Sequence, residues 1–125
     1  MTKRHILLVD DEPHVLRVLR LALEREGYSV ATAKDGNDAL LEFASCLPDV
    51  LITDIKMDGM TGRTLCQLSR EMYPDHPFLI LVMTSMTAMD ERAWVQQLQN
   101  TELLEKPLSS RQLIARLSRY FRTSQ

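Results

Sequence analysis

The feature that most constrains this chain is a set of short, unbroken apolar runs, each stopped by a polar or acidic residue and followed by a stretch of helical period. Ile6-Leu7-Leu8-Val9 runs into Asp10, Val50-Leu51-Ile52-Thr53 into Asp54, and Phe78 to Met83 into Thr84 and Ser85. A strand wetted on one face alternates apolar with polar residues, whereas one covered on both faces does not, so these runs predict buried parallel strands. Behind the first, Val15, Leu16, Leu19, Ala22 and Leu23 recur at helical spacing, with Asp11 or Glu12 near the cap, Pro13 in the first turn and Gly27 as the stop. Tyr28 to Ala33 reads as a second strand, Asp35-Gly36 as a turn, and Asp38 to Cys46 as a helix with Ala39, Leu40 and Phe43 inward. The loop Lys56 to Gly62 leads into a helix to about Met72, which Pro74 and Pro77 separate from the fourth strand. A helix from about Asp90 to Asn100, a strand from Glu102 to Glu105, and a last helix from about Ser110 complete five βα units. Ser109 and Gln112 stand at capping-box spacing ahead of that last helix. Such a succession predicts an α/β fold, a doubly wound five-stranded parallel sheet with five helices.

Composition narrows the function. A chain of 125 residues is sized for one domain, expected over residues 1–125, and its 45% hydrophobic and 26% charged residues suit a packed core rather than disorder. A formal charge of -2 with no basic stripe argues against nucleic acid as a direct partner. Cys46 and Cys66 have neither a CxxC nor a metal-ligand spacing, and both are expected as buried thiols in a reducing compartment. The apolar run after the basic N-terminus is too short for a signal peptide or a membrane span, so the cytoplasm is expected. His5, His14 and His76 show no paired spacing and are assigned to the surface.

Chemistry is expected where a doubly wound sheet binds its ligands, beyond the carboxyl ends of the strands at the point where strand order reverses. In the flavodoxin-like order 2-1-3-4-5 that point lies between strands one and three. Those ends carry Asp10-Asp11, Asp54, Thr84-Ser85 and, after strand five, Lys106-Pro107. Crowded carboxylates call for a cation or a proton, and oxygen ligands select a hard divalent ion such as Mg²⁺. On this reading Asp11 and Asp54 are ligands, and Asp10 holds a bound water or is a ligand itself. Lys106 and Thr84 offer an ammonium and a hydroxyl to a phosphoryl group, with Asp54 as the nucleophile. In isolation each residue has an ordinary reading: a helix cap for Asp10 or Asp11, a solvated charge for Lys106, a backbone-bonded hydroxyl for Thr84.

These residues, in order on the expected strand ends, resemble the receiver domain of two-component response regulators. The resemblance runs from Val9-Asp10-Asp11-Glu12-Pro13 through Asp54-Ile55-Lys56-Met57, Met60 and Gly62 to Thr84-Ser85 and Lys106-Pro107. It implies that Asp54 is the phosphoacceptor and that Asp10 and Asp11 serve Mg²⁺ (or Mn²⁺), with the Lys56 main-chain carbonyl as a further ligand. Thr84 and Lys106 would contact the phosphoryl group, and the Lys106-Pro107 bond would be cis. A sensor histidine kinase or histidine phosphotransfer protein would be the donor, and an output domain or protein would read the helix 4, strand 5, helix 5 surface. The domain would be a signalling switch rather than an enzyme, with homodimerisation left open.

The sequence departs from the family pattern at Asp58, Thr61, the Gln99-Asn100 pair and Leu103, which stands where a switch aromatic is expected. Met83, Met86 and Met89 with Trp94 are expected to supply pliable packing for signalling in its place. Lys56 and Met86, two residues beyond Asp54 and Thr84, border the path of the hydrolytic water in this family, and their length implies slow self-dephosphorylation. The alternative function is a phosphate-independent scaffold, which normally loses the acceptor, an acid or the lysine; all are present here. A flavin carrier is disfavoured because Asp10-Asp11-Glu12 would repel a flavin phosphate. An Asp-x-Asp phosphatase is disfavoured because Ile55 and Lys56 follow Asp54.

Overall fold

The computed structural model describes residues 3–57, 59–84 and 89–123, with the side chains of 89, 90 and 123 left aside. Its elements are β1 (His5–Val9), α1 (Pro13–Arg25), β2 (Ser29–Ala33), α2 (Gly36–Ser45), β3 (Val50–Asp54), α3 (Gly62–Met72), β4 (Leu79–Thr84), α4 (Met89–Gln97), β5 (Thr101–Glu105) and α5 (Ser110–Thr123). All four strand pairings are parallel, as the runs predict, and the order is the flavodoxin-like β2-β1-β3-β4-β5.

Alternation along the central strands sends successive side chains into two separate cores. Ile6 and Leu8 join Val50, Ile52, Leu79 and Leu81 against Leu19 and Leu23 of α1 and Leu113 and Leu117 of α5. Leu7 and Val9 join Leu51, Ile80 and Val82 on the other face, against Phe43 of α2, Leu65 of α3 and Trp94 and Val95 of α4. Both faces of β1, β3 and β4 are therefore dry, which is why these strands lack polar alternation. Phe78 anchors one end of the second core, edge-on to Phe43 at 5.5 Å, and the Arg70 guanidinium lies 4.2 Å over its ring.

The local punctuation differs from expectation in instructive ways. Asp35 caps α2 by accepting the Asp38 N–H at 2.8 Å, so the helix begins at Gly36 instead of Asp38. Thr61, one of the departures from the family pattern, caps α3 by accepting the Thr64 N–H at 3.2 Å. Ser109 accepts the Gln112 N–H at 3.3 Å, as the capping-box spacing predicts. Glu12 is the α1 cap residue but makes no side-chain cap bond. Asn100, in the other departing pair, has a φ of 52°, a left-handed conformation that asparagine tolerates better than most residues. Arg70 steadies this turn by donating to the carbonyls of Gln99 at 2.6 Å and Asn100 at 3.0 Å.

Three sequence expectations need correction. Cys46 is exposed, because α2 ends there and the chain turns out toward Leu47. Cys66 is buried as expected, and burial pushes its thiol up to about 12, so it stays protonated. His5 and His76 are half-buried rather than on the surface. The His76 ring lies 2.6 Å from the Pro48 carbonyl through Nε2 and stacks on Phe78, while His5 Nδ1 sits 3.2 Å from Ser29 Oγ. Ser85, Met86 and Asp58 lie outside the described residues, as does the side chain of Met89.

Candidate functional site

The chain passes from β1 outward to β2, then back across to β3 on the other side of β1, so the strand order reverses between β1 and β3. Val9 lies in register with Thr53, which sets Asp10 and Asp54 side by side at the carboxyl end of the sheet. Asp10 is fully buried and Asp54 and Thr84 nearly so.

The element that joins them comes from far along the chain. Lys106 N–H donates to the Thr84 carbonyl at 2.6 Å, and the Lys106-Pro107 peptide is cis, as the resemblance implies. The ammonium then reaches back over the sheet edge, with Nζ 3.2 Å from Asp10 Oδ2 and 3.1 Å from Asp54 Oδ2. The other oxygen of each carboxylate is held by a backbone amide: Asp10 Oδ1 accepts from Glu12 N–H at 2.9 Å, and Asp54 Oδ1 from Ile55 N–H at 2.8 Å. The two acids are thus oriented at both ends, one by its own loop and one by a shared cation.

Burial alone would push the Lys106 ammonium down, but the hydrogen bonds and charges of Asp54 and Asp10 hold it above its ordinary 10.5. A lysine raised on folding stabilises the native state fully below its unfolded value and loses that contribution as pH rises through the folded one. Lys106→Met, which strands two facing carboxylates, is expected to cost about 1–3 kcal/mol at neutral pH, toward the low end because the amine is partly wetted. Denaturant titrations should show the gap to wild type holding through neutral pH and narrowing above the ordinary value of 10.5. A gap that widens in alkali would contradict the pairing.

Asp10, Asp11 and Glu12 gather their ligand oxygens within 4.8 Å of one another, Asp10 buried and the other two exposed. Glu12, a helix-cap candidate in the sequence and the third acid of an uninterrupted run, joins the two aspartates here. Asp54 is outside that trio and is linked to it through Lys106. Three carboxylates so close form a hard-oxygen donor set of the kind Mg²⁺ or Mn²⁺ takes, and Asp10 keeps lone pairs beyond its two hydrogen bonds. Lys56 turns its side chain to solvent, at the rim of a cavity of about 340 Å³ lined also by Ile55, Met57, Thr61, Arg63 and Glu91. Trp94, buried behind that rim, donates its indole N–H to Glu91 and lies 5.9 Å beneath the Arg63 guanidinium.

Residues 6–118 match the family described as the response regulator receiver domain. The chain belongs to that family. A relative named "Probable transcriptional regulator ycf27", from Guillardia theta, is 35% identical over 116 residues; the match covers 93% of this chain and 44% of the relative, so the receiver domain spans under half that protein's length. The structure of the chemotaxis protein CheY4 of Vibrio cholerae superposes with a TM-score of 0.86 at 29% identity, covering 94% of this chain and 98% of that one. A two-component response regulator from Clostridium difficile shares the fold with a TM-score of 0.89 at 23% identity, covering 97% and 98%. Among the described residues no helix of the receiver domain is long and apolar enough to cross a membrane.

Proposed function

We propose that this receiver domain accepts a phosphoryl group on Asp54, in a Mg²⁺-dependent transfer from a phosphohistidine of a sensor kinase or phosphotransfer protein. The observation that most supports this reading is the single ammonium of Lys106 held within 3.2 Å of both Asp10 and Asp54 at the switch point of the sheet.

In the transfer, an Asp54 carboxylate oxygen forms a bond to phosphorus as the N–P bond of the donor breaks. The imidazole leaves with the bonding pair and takes a proton from solvent. Asp54 is aimed by the Ile55 amide, so little reorganisation is needed at the moment of attack. Lys106 then faces the phosphoryl oxygens from one side and the Thr84 hydroxyl from the next strand end. Asp10, Asp11, Asp54 and the Lys56 carbonyl would hold the ion, with Glu12 within reach of the same position. When bound, Mg²⁺ supplies positive charge to phosphoryl oxygens that would otherwise meet a wall of carboxylates.

Signalling is read at the α4, β5 and α5 surface by an output domain or protein. A cleft of about 350 Å³ there is lined by Arg92, Val95, Gln96, Thr101, Glu102 and Leu103, among others, and Arg116 of α5 pairs with Glu102 across its edge. Leu103 packs into the same core as Trp94, on the face of β4 that Val82 and Thr84 share. On this reading Trp94 supplies the pliable packing expected in place of the missing switch aromatic, without Met83, which packs into the opposite core.

The test is incubation with a phosphoramidate and Mg²⁺ followed by peptide mapping in a mass spectrometer. The adduct is expected on the peptide bearing Asp54, and only with the divalent ion. An adduct on another side chain, or one formed equally well in chelator, would overturn the reading.

A further inference from the structure

Thr53 is a fully buried hydroxyl in an otherwise apolar wall, in register with Val9 on one side and Val82 on the other. An unpartnered hydroxyl there would be costly, and valine has the same shape and the better strand propensity, so packing alone does not account for threonine. Its Oγ1 donates to the carbonyl oxygen of Asp54 at 3.0 Å and lies 4.0 Å from the Met57 sulfur. That carbonyl belongs to the Asp54–Ile55 peptide, and the N–H of the same peptide donates to Asp54 Oδ1 at 2.8 Å. Because the peptide is planar, a bond at its carbonyl end sets the direction of its N–H end. The Ile55 N–H is shared, since it also donates to the Met83 carbonyl of the neighbouring strand at a longer 3.3 Å.

We infer that Thr53 is a positioning residue for phosphoryl transfer. Its hydroxyl holds the Asp54–Ile55 peptide in the orientation that gives the carboxylate the shorter share of the Ile55 N–H, 2.8 Å against 3.3 Å to the Met83 carbonyl of the strand ladder. The pinned carboxylate then presents its other oxygen to Lys106. This rests on Asp54 being the phosphoacceptor and adds to it the residue that aims the nucleophile.

Thr53→Val removes the donor and keeps volume and branching; Thr53→Ser keeps the donor. Two readouts are combined: the rate of labelling by a phosphoramidate with Mg²⁺, as a function of donor concentration, and the Ile55 amide resonance in ¹⁵N-labelled protein. Thr53→Val is expected to label about tenfold more slowly at saturating donor with the half-saturating concentration unchanged, the effect of one lost orienting hydrogen bond. Its Ile55 amide proton should move upfield, and its thermal midpoint should equal or exceed that of wild type. Thr53→Ser should restore both the rate and the resonance. The inference is overturned if Thr53→Val labels at the wild-type rate with an unmoved Ile55 resonance, if Thr53→Ser is as slow as Thr53→Val, or if the thermal midpoint of Thr53→Val collapses. Failure of the underlying reading looks different, a wild-type protein without an Asp54 adduct; the Ile55 resonance then decides alone whether Thr53 sets this peptide.

Discussion

Asp54→Asn is expected to abolish phosphoryl uptake while leaving the fold in place. The amide keeps the volume of the carboxylate and can still accept the Ile55 N–H that Oδ1 accepts at 2.8 Å. Lys106 keeps Asp10 as a partner at 3.2 Å, so no buried charge is left without a counter-ion. An amide oxygen is a poor nucleophile toward phosphorus, and its product would carry an unfavourable positive charge. What disappears is therefore the chemistry and not the scaffold, and stability should stay within about 1 kcal/mol of wild type. Labelling with a phosphoramidate and Mg²⁺, read by mass spectrometry beside a denaturant melt of each protein, checks both halves. An adduct that persists on the folded Asn variant would move the acceptor elsewhere.

Gly62→Ala is expected to be the most damaging single-methyl change in the site. At an exposed helix position alanine would be favoured over glycine by about 0.5–1 kcal/mol, and Gly62 opens α3 without a positive φ, so propensity predicts stabilisation. Space predicts the opposite. A Cβ at Gly62 would stand 2.1 Å from the Asp54 carbonyl oxygen, 2.9 Å from Ile55 Cα and 3.0 Å from the Asp54 carbonyl carbon, all backbone atoms that no rotamer change can move aside. Gly62 N–H also donates to the Ile55 carbonyl at 2.8 Å, so relieving the clash would pull apart the turn that carries Asp54. A loss of about 3 kcal/mol or more is expected, with phosphoryl uptake falling alongside. Gly36→Ala is the internal comparison. Its Cβ would meet Met60 Sδ at 2.5 Å, Cβ at 2.7 Å and Cγ at 2.9 Å; the thioether can swing aside but the Cβ moves only with the loop backbone, so a loss of about 1–2 kcal/mol is expected. Urea melts of the two variants should separate them clearly; a Gly62→Ala protein as stable as wild type would show that the close approach is slack.

Much of the architecture was legible because it is written in local periodicity. The unbroken run Ile6 to Val9 and its counterparts in β3 and β4 could be placed without knowing any partner, since only a strand covered on both faces tolerates them. Strand ends were legible for the same reason: the first acid after an apolar run marks where the apolar wall gives way to the polar carboxyl edge of the sheet, and Asp10 and Asp54 stand there although both are buried. Caps were less secure. Asp35 and Asp38 are both acids near the start of α2, and only the direction of the Asp35 side chain decides that it is the one that accepts. Cys46 was misjudged because a cysteine is usually buried, while its position at the end of α2 overrides that tendency.

The amino-acid order by itself determined which segments become strands and helices, that the sheet would be parallel, and which polar residues would stand at its carboxyl edge. The tertiary structure decided which atoms meet there. Lys106 bridges acids 96 and 52 residues away, the Thr53 hydroxyl finds the carbonyl of Asp54, and Gly62 lies against that same carbonyl with no room for a methyl group. The division has a physical cause. Periodicity and turn chemistry act over a few residues and can be read along the chain, whereas distances of 3 Å between remote side chains depend on strand order, register and crossover hand, which exist only once the sheet has closed.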